Sequence, residues 1–163
     1  MPDAAPDPAA RAVTGPVSQP GAGHADDEPA RRMWATDAAS AMLGMQLEQL
    51  GPGEARVSMV VRADMVNGHD LCHGGLIASL ADSAFALACN SHGTVTVAAG
   101  FDIDFLQPAR LGQVLHAHAR EVALRGRSGI YDVTVRAGGT GAVIAEFRGR
   151  SRSLGRSIGE PRG

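Results

Sequence analysis

The sequence predicts an α+β domain in which an antiparallel sheet wraps around one long central helix. The helix is indicated by residues 74–90, which are apolar around the whole helical circumference, as is typical of a helix buried on all sides. The sheet is indicated by strand-like segments that follow the helix and are joined by short glycine-bearing loops, which suits an antiparallel meander. These strands are expected near 94–107, 112–124, 129–137 and 142–153.

The part of the chain before this helix divides into a tail and three further elements. Residues 1–30 contain six of the nine prolines and few large apolar side chains, so they cannot offset their ordering entropy and are expected to be disordered. Apolar residues at helical spacing predict a helix from Ala30 to Leu43. Apolar and strand-forming patterns predict strands over 45–50 and 54–63, with a Gly-Pro-Gly turn between them.

The chain of 163 residues has the length and composition of a single domain. This domain is expected over 31–154, followed by a frayed end at 155–163. The net charge of -2 argues against a nucleic-acid partner. The absence of lysine excludes a P-loop and Schiff-base chemistry. Two cysteines, no signal-peptide pattern and no apolar run long enough to cross a membrane predict a cytoplasmic protein without membrane contact.

Asp82 is the only acidic residue of the predicted helix 74–90. Its neighbours at spacings of three and four are mostly apolar or small, so it does not belong to a polar stripe. Three ordinary interpretations stay open: a narrow solvent strip with Ser79 and Ser83, a pair with a buried arginine, or a place in a subunit interface. The functional interpretation is a carboxylate kept in an apolar cleft, where burial raises its basicity.

The start of the helix offers a second candidate feature. Gly74 and Gly75 lie where a helix presents unpaired amide groups and the positive end of its dipole, and a carbonyl oxygen can approach the Gly74 amide closely. This is the geometry of an oxyanion hole. Asn67 is a candidate for orienting a water or an acyl carbonyl, and His73 for shaping the loop. A plain loop-to-helix turn is the alternative, but together with Asp82 the pattern indicates acyl transfer.

Metal binding and cysteine catalysis are less well supported by the spacing. His69, Cys72 and His73 lie within five residues, and His116 and His118 share one strand face, but these spacings match no familiar zinc site. Cys72 and His73 are adjacent and lack a third orienting group. No metal and no thiolate nucleophile are therefore expected.

Several stretches of the chain closely resemble the hotdog-fold thioesterases of the PaaI type, the family from phenylacetate degradation, over roughly residues 33–153. The most specific stretches are Asn67-Gly68-His69-Asp70-Leu71-Cys72-His73-Gly74-Gly75 and Ser79-Leu80-Ala81-Asp82-Ser83-Ala84-Phe85-Ala86. Further stretches are Asp102-Ile103-Asp104-Phe105-Leu106, Pro108-Ala109-Arg110 and Phe147-Arg148-Gly149-Arg150-Ser151.

The resemblance implies a helix wrapped by an antiparallel sheet, subunits that pair edge to edge, and usually a dimer of dimers, hence a homotetramer. It implies hydrolysis of acyl-CoA thioesters, typically phenylacetyl or hydroxyphenylacetyl groups, with no cofactor or metal. Asp82 is then the catalytic base or nucleophile, the Gly74 amide holds the oxyanion, and Asn67 and His73 line the site. The site lies at a subunit interface, so that Asp82 of one chain acts on a thioester held partly by the other.

CoA also carries phosphates, which arginine binds through forked hydrogen bonds. The basic hairpin containing Arg125, Arg127 and Ser128, together with Arg110, is the candidate phosphate site, with a solvated turn as the alternative. Gln113 stands where the family usually has aspartate, a departure that lies outside the acyl site. Two other functions stay open: a non-catalytic acyl-CoA-binding module and a hotdog dehydratase.

Overall fold

The computed structural model describes residues 28–159, which form a six-stranded antiparallel sheet with a long helix packed on one face. This arrangement confirms the predicted fold class. The strands lie side by side in the order β1-β2-β4-β5-β6-β3. The helices are α1 (Glu28–Ala35), α2 (Ala38–Met42) and α3 (Gly74–Asn90), and the strands are β1 (Gln46–Gly51), β2 (Glu54–Val60), β3 (Thr94–Phe105), β4 (Val114–Arg125), β5 (Ser128–Ala137) and β6 (Val143–Ser157).

The single helix predicted from Ala30 to Leu43 is divided into α1 and α2, which is a correction. Asp37 separates them because its side chain accepts hydrogen bonds from the amides of Ala39 and Ser40 and so caps a new helix. The tail predicted over 1–30 falls mostly on residues 1–27, which lie outside the described residues. Its last three residues already belong to α1.

The order of the strands corrects the predicted meander. Strands β4, β5 and β6 do follow one another as a meander, but β3 lies at the far side of the sheet and pairs with β6. The segment 106–113 is therefore a crossing connection. The chain was predicted to be frayed from residue 155, but in the structure β6 continues to Ser157, which pairs with Thr94 of β3.

Helix α3 packs on the sheet through its large apolar side chains. Its seventeen residues span about 24 Å along the helix axis. Phe85 is fully buried between the rings of Tyr131 and Phe147, with centroid distances of 5.5 and 5.8 Å. It fits there because β6 has a glycine, Gly149, beneath the ring; a Cβ at that position would approach the ring within 2.8 Å.

Part of α3 away from the sheet is covered by no other element among residues 28–159, while α1 and α2 pack against the part beside it. The prediction that this helix is buried all round is therefore wrong for a single chain. Its uncovered residues are partly or wholly exposed and form what we call the open strip of α3, consisting of Gly75, Ala78, Ser79, Asp82 and Ala86. No helix in the described part of the chain is long and apolar enough to cross a membrane.

Candidate active site

The loop that leads into α3 is held in place by backbone hydrogen bonds to two separate parts of the chain. The His73 amide donates to the Met65 carbonyl at 2.9 Å, and the Cys72 amide donates to the Ala109 carbonyl at 2.8 Å. Asn67 organises the turn, because its side-chain Oδ1 accepts hydrogen bonds from the amides of His69 and Leu71. The Asn67 Nδ2 group has no hydrogen-bond partner among residues 28–159.

The first two amides of α3 have no hydrogen-bond partner among residues 28–159. The His73 carbonyl accepts from Leu76 and Ile77, whereas the amides of Gly74 and Gly75 bind no described group. Unpaired amides at the positive end of a helix dipole attract a negatively charged oxygen. His73 occupies the N-cap position with an exposed side chain that does not cap the helix.

Phe105 of β3 covers Gly74, and sequence reasoning assigned it no role. The ring lies so close that a Cβ on Gly74 would come within 2.9 Å of Phe105 Cζ. Half of the Phe105 surface remains exposed. Nothing in the sequence separates this phenylalanine from an ordinary strand residue, because its contact with Gly74 arises only when β3 folds back beside α3.

Asp82 lies on the open strip and is half-buried. Its carboxylate has no hydrogen bond and no ion pair within residues 28–159, so pairing with a buried arginine is not observed. Burial raises the pKa of Asp82 because the ionised form is partly desolvated without compensation. The effect extends to Cys89, whose pKa is raised to about 12 by burial and by the nearby Asp82 charge.

The residue after Asp82 is tied to the N-terminal helices. Ser83 Oγ lies 2.9 Å from Ser40 Oγ, and Ser40 in turn donates to the Asp37 carboxylate at 2.7 Å. Ser40 is almost fully buried, with 2% of its surface exposed. This chain of hydrogen bonds fixes α2 against α3 next to the candidate carboxylate.

Gly74 and Asp82 are too far apart to act on one carbonyl group within the same chain. They are eight positions apart along α3, which corresponds to about 12 Å along the helix axis. An oxyanion donor and an attacking carboxylate must both lie within about 3 Å of the reacting group. Within one chain, these two groups therefore cannot both reach the same carbonyl group.

The residues expected to bind phosphates are divided between the two ends of α3. Arg110 is exposed and pairs through its backbone with Leu71, beside the Gly74 end. The hairpin with Arg125, Arg127 and Ser128 lies at the other end, where it borders a cavity shared with the end of α3. Within one chain, the expected substrate-binding residues are thus not brought together.

Two other sequence features have structural partners. Gln113, noted as a departure from the family pattern, accepts a hydrogen bond from the Arg110 amide at 2.7 Å and so closes the turn before β4. His116 contacts Glu48, and His118 contacts Glu54, on the face of the sheet away from α3. Ser151 of β6, which sequence reasoning did not single out as a site residue, borders the cavity at the end of α3, and its buried hydroxyl has no hydrogen-bond partner among residues 28–159.

Comparison with known proteins gives consistent matches. Residues 69–144 match the family model described as the thioesterase superfamily. Acyl-coenzyme A thioesterase PaaI of Escherichia coli (strain K12) is 41% identical over 129 residues, which cover 79% of this chain and 91% of that protein.

Solved structures match over similar lengths. The structure of the E. coli PaaI protein from the phenylacetic acid degradation operon has a TM-score of 0.79 and 40% identity, covering 82% of this chain and 96% of the other. A mutant of the phenylacetic acid degradation protein PaaI from Thermus thermophilus has a TM-score of 0.69 and 40% identity, covering 72% and 100%.

Proposed function

The chain belongs to the thioesterase superfamily and is an acyl-CoA thioesterase of the PaaI type, and from this premise we propose that it hydrolyses aryl-acetyl-CoA thioesters such as phenylacetyl-CoA or hydroxyphenylacetyl-CoA. Free arylacetic acid and CoA are the products. The observation that carries the proposed chemistry is the unpaired, desolvated carboxylate of Asp82 on the open strip of α3.

In the proposed reaction Asp82 acts in one of two ways. As a base, it takes a proton from a water molecule that attacks the thioester carbonyl carbon; as a nucleophile, it attacks that carbon itself and water later cleaves the anhydride. Both routes break the carbon–sulfur bond and release CoA as its thiol. The desolvated setting supports either role, because a raised pKa makes the carboxylate more basic.

The negative charge that develops on the carbonyl oxygen is assigned to the Gly74 amide. That amide is free of other partners among residues 28–159 and lies at the positive end of α3, and the Gly75 amide beside it is also free there. Asn67 contributes through its Nδ2 group, since its Oδ1 already holds the loop. His73 lines the same loop as an exposed neighbour of Gly74.

We assign the two halves of each site to different subunits. The axial distance of about 12 Å between Gly74 and Asp82 supports this assignment, since one chain cannot apply both to one carbonyl. The β3 edge supports it as well, because it has no neighbouring strand among residues 28–159 and carries exposed apolar residues, including Val97 and Phe101. Antiparallel pairing of two such edges brings the Gly74 end of one α3 towards the middle of the other.

The phosphates of CoA are assigned to Arg110 at one end of α3 and to Arg125, Arg127 and Ser128 at the other. These two groups belong to different subunits in a shared site. The exposure of all four residues supports this role. The Ser128 hydroxyl already accepts a hydrogen bond from Arg152, so the arginines are the stronger candidates.

The central test is free-thiol release from phenylacetyl-CoA by the wild-type protein and by Asp82→Ala and Asp82→Asn. Removing a catalytic carboxylate is expected to lower kcat by about 10²–10⁴-fold. Asp104→Ala, which removes an exposed carboxylate on the sheet face away from α3, serves as the matched control and should retain full activity. Equal rates for the wild type and Asp82→Ala contradict the assignment of Asp82.

Two further measurements define the reaction. A single turnover in ¹⁸O-water separates the two routes, because only direct attack by Asp82 leaves the label in the enzyme carboxylate. Incubation with a β-hydroxyacyl-CoA tests the dehydratase alternative, and formation of an enoyl-CoA would contradict the hydrolase assignment.

A further inference from the structure

Phe101 of β3 has an aromatic ring that is stacked on one face and open on the other. The ring stacks on that of Phe147 with a centroid distance of 4.7 Å and an interplanar angle of 27°. No other ring among residues 28–159 contacts Phe101, and 43% of its surface is exposed. Because Phe147 belongs to β6, the open face of the Phe101 ring is turned away from the body of the sheet, towards the edge of β3. An aromatic ring held in this way is a preorganised surface for another flat apolar group.

Two contacts at the ends of α3 determine which part of β3 lies beside Asp82. At one end, the side chain of Asn90 forms two hydrogen bonds with the backbone of Thr96, at 2.8 and 2.9 Å. At the other end, the Phe105 ring covers Gly74. Helix α3 and the part of β3 between these contacts therefore run side by side in opposite directions.

Phe101 and Asp82 lie at the same height along α3 between these two contacts. Asp82 is eight positions from Gly74, which corresponds to about 12 Å along the helix. Phe101 is four positions from Phe105, which corresponds to about 13 Å along the strand. Because the Phe105 ring lies against Gly74, these nearly equal distances bring the Phe101 ring level with the Asp82 carboxylate.

The direction of the Asp82 side chain places it on the flank of α3 that borders β3. Asp82 and Phe85 are three positions apart, so their side chains differ in direction by about 60° around the helix. The Phe85 ring lies against Phe147 and Gly149, and Gly149 is the β6 residue that pairs with Phe101. From Phe85, Asp82 is turned towards the open strip. The carboxylate and the Phe101 ring therefore border one groove between α3 and β3.

We propose that Phe101 determines the specificity for the acyl group, and that the open face of its ring stacks against the aryl ring of the substrate. The inference rests on the proposed aryl-acetyl-CoA thioesterase function. In an arylacetyl thioester, one methylene group joins the aryl ring to the carbonyl carbon. A carbonyl group attacked at Asp82 therefore has its aryl ring in the neighbouring part of the groove, where Phe101 lies.

The surroundings of Phe101 favour an aromatic group over a saturated group of the same size. Offset-stacked rings attract each other through their quadrupoles in addition to burying apolar surface, whereas a saturated ring gains only the burial. A substrate ring at this place would extend the row formed by Phe147 and Phe101. Phe105 is also exposed, but its ring already lies against Gly74. Phe101 is therefore the stronger candidate for contact with the aryl group.

The test compares Phe101→Leu with the wild type on phenylacetyl-CoA and cyclohexylacetyl-CoA, whose rings are similar in size but differ in aromaticity. Loss of the stacking is expected to lower kcat/KM for phenylacetyl-CoA about five-fold, with the value for cyclohexylacetyl-CoA within about two-fold. Phe101→Tyr keeps an aromatic ring and should retain the wild-type preference. Ile130→Leu changes an apolar side chain of similar exposure on β5 and is the control, which should match the wild type on both substrates.

Two results would overturn the proposal. An equal loss on both substrates would show that Phe101 acts only through packing or subunit pairing, and sedimentation equilibrium would identify the pairing effect. An unchanged preference for the aryl substrate in Phe101→Leu would show that the ring does not contact the aryl group. Phe101→Met is a second non-aromatic variant that should show the same selective loss, and it replaces Phe101→Leu if thermal unfolding shows that the leucine variant does not fold.

Calorimetry with Asp82→Ala measures binding without turnover and so separates this inference from the proposed function. Asp82→Ala should bind phenylacetyl-CoA more tightly than cyclohexylacetyl-CoA, and the addition of Phe101→Leu should remove most of that difference. Such a preference in a protein whose wild type hydrolyses no acyl-CoA supports the inference, although the proposed function then fails. Hydrolysis of phenylacetyl-CoA with a preference that Phe101→Leu does not alter leaves the proposed function and removes the inference.

Discussion

Two groups of carboxylates among residues 28–159 differ in their surroundings. Asp102 and Asp132 lie on the sheet face away from α3, and hydrogen bonds from Arg150 and Arg148 lower their pKa values. Asp82 has no such cation, and burial raises its pKa. The first group is typical of structural ion pairs, and the second is typical of a group that acts on a ligand.

Stability should depend on pH in opposite ways for these two kinds of carboxylate. The folded-state pKa of Asp82 lies above its ordinary value of 3.8, so its favourable contribution is present below that value and is lost as the pH rises through the folded pKa. Asp82→Asn is therefore expected to unfold at a higher urea concentration at pH 7, with the difference shrinking towards pH 4.

Asp132→Asn is the control of opposite sign for the urea measurement. Its hydrogen bonds with Arg148 lower the folded pKa below 3.8, so its contribution is present above that value and is lost as the pH falls through the folded pKa. This variant should be less stable than the wild type at pH 7. A wild-type protein that is more stable than Asp82→Asn at pH 7 would contradict the argument.

At the scale of residues, the sequence identifies those candidate site residues whose type differs from that of their neighbours in the chain. Asp82 stands out because it is the only charge in an apolar helix, and Gly74 because two glycines begin that helix. Phe105 and Ser151 could not be found in the same way. Their positions, beside Gly74 and beside the cavity at the end of α3, arise from the pairing of strands distant in sequence, which no local pattern records.

The contact between α3 and β6 depends on the absence of a side chain at one position. Gly149 lies under the Phe85 ring, with three ring atoms within 2.9 Å of where a Cβ would be placed. Phe85 cannot move away easily, since it also contacts the Tyr131 and Phe147 rings. The position of α3 on the sheet, and with it the position of Asp82, is therefore fixed by this close approach.

Gly149→Ala is expected to destabilise the protein by about 1–3 kcal/mol, because the added methyl group overpacks the core. Chemical denaturation followed by circular dichroism measures the change. Gly51→Ala is the matched control, since a Cβ there meets no atom within 4 Å, and it should change stability by less than about 0.5 kcal/mol. A Gly149→Ala protein as stable as the control would mean that the ring relaxes freely.

At the scale of elements, local signals were sufficient for α3, whose predicted limits of 74 and 90 coincide with the observed ones. They were not sufficient for the position of β3. Short loops favour pairing of consecutive strands, yet β3 pairs with β6 across the sheet, a contact between residues up to about sixty positions apart that no local pattern records. The break between α1 and α2 depends on Asp37 acting as a helix cap, which the spacing of the apolar residues does not reveal.

For the whole molecule, the proposed shared site depends on the edge of β3, which has no neighbouring strand among residues 28–159. The edge is twelve residues long and exposes several apolar side chains, which is unusual for a strand that remains unpaired in solution. The proposed pairing of two such edges covers these residues and brings the two half-sites together. Assembly and activity should therefore be lost together.

Val97→Lys is expected to weaken self-association by about ten-fold or more, because a charge must then be buried at the pairing edge. Sedimentation equilibrium measures the association, and thiol release from phenylacetyl-CoA should fall in parallel. Val60→Lys changes a valine of similar exposure on β2 and should leave both properties unaltered. A monomeric Val97→Lys protein with full activity would contradict the shared site.

The separation of Gly74 from Asp82 along α3 also has a consequence for dimers formed from one normal and one mutant chain in a cell. In a shared site, a chain with Asp82→Ala still lends its Gly74 amide to a normal partner, so a mixed pair keeps one of its two sites. A chain that has lost both its Gly74 amide and its Asp82 inactivates both sites of any pair that it joins. Two separate defects on different chains can thus be complemented, whereas the same two defects on one chain are dominant over a normal copy.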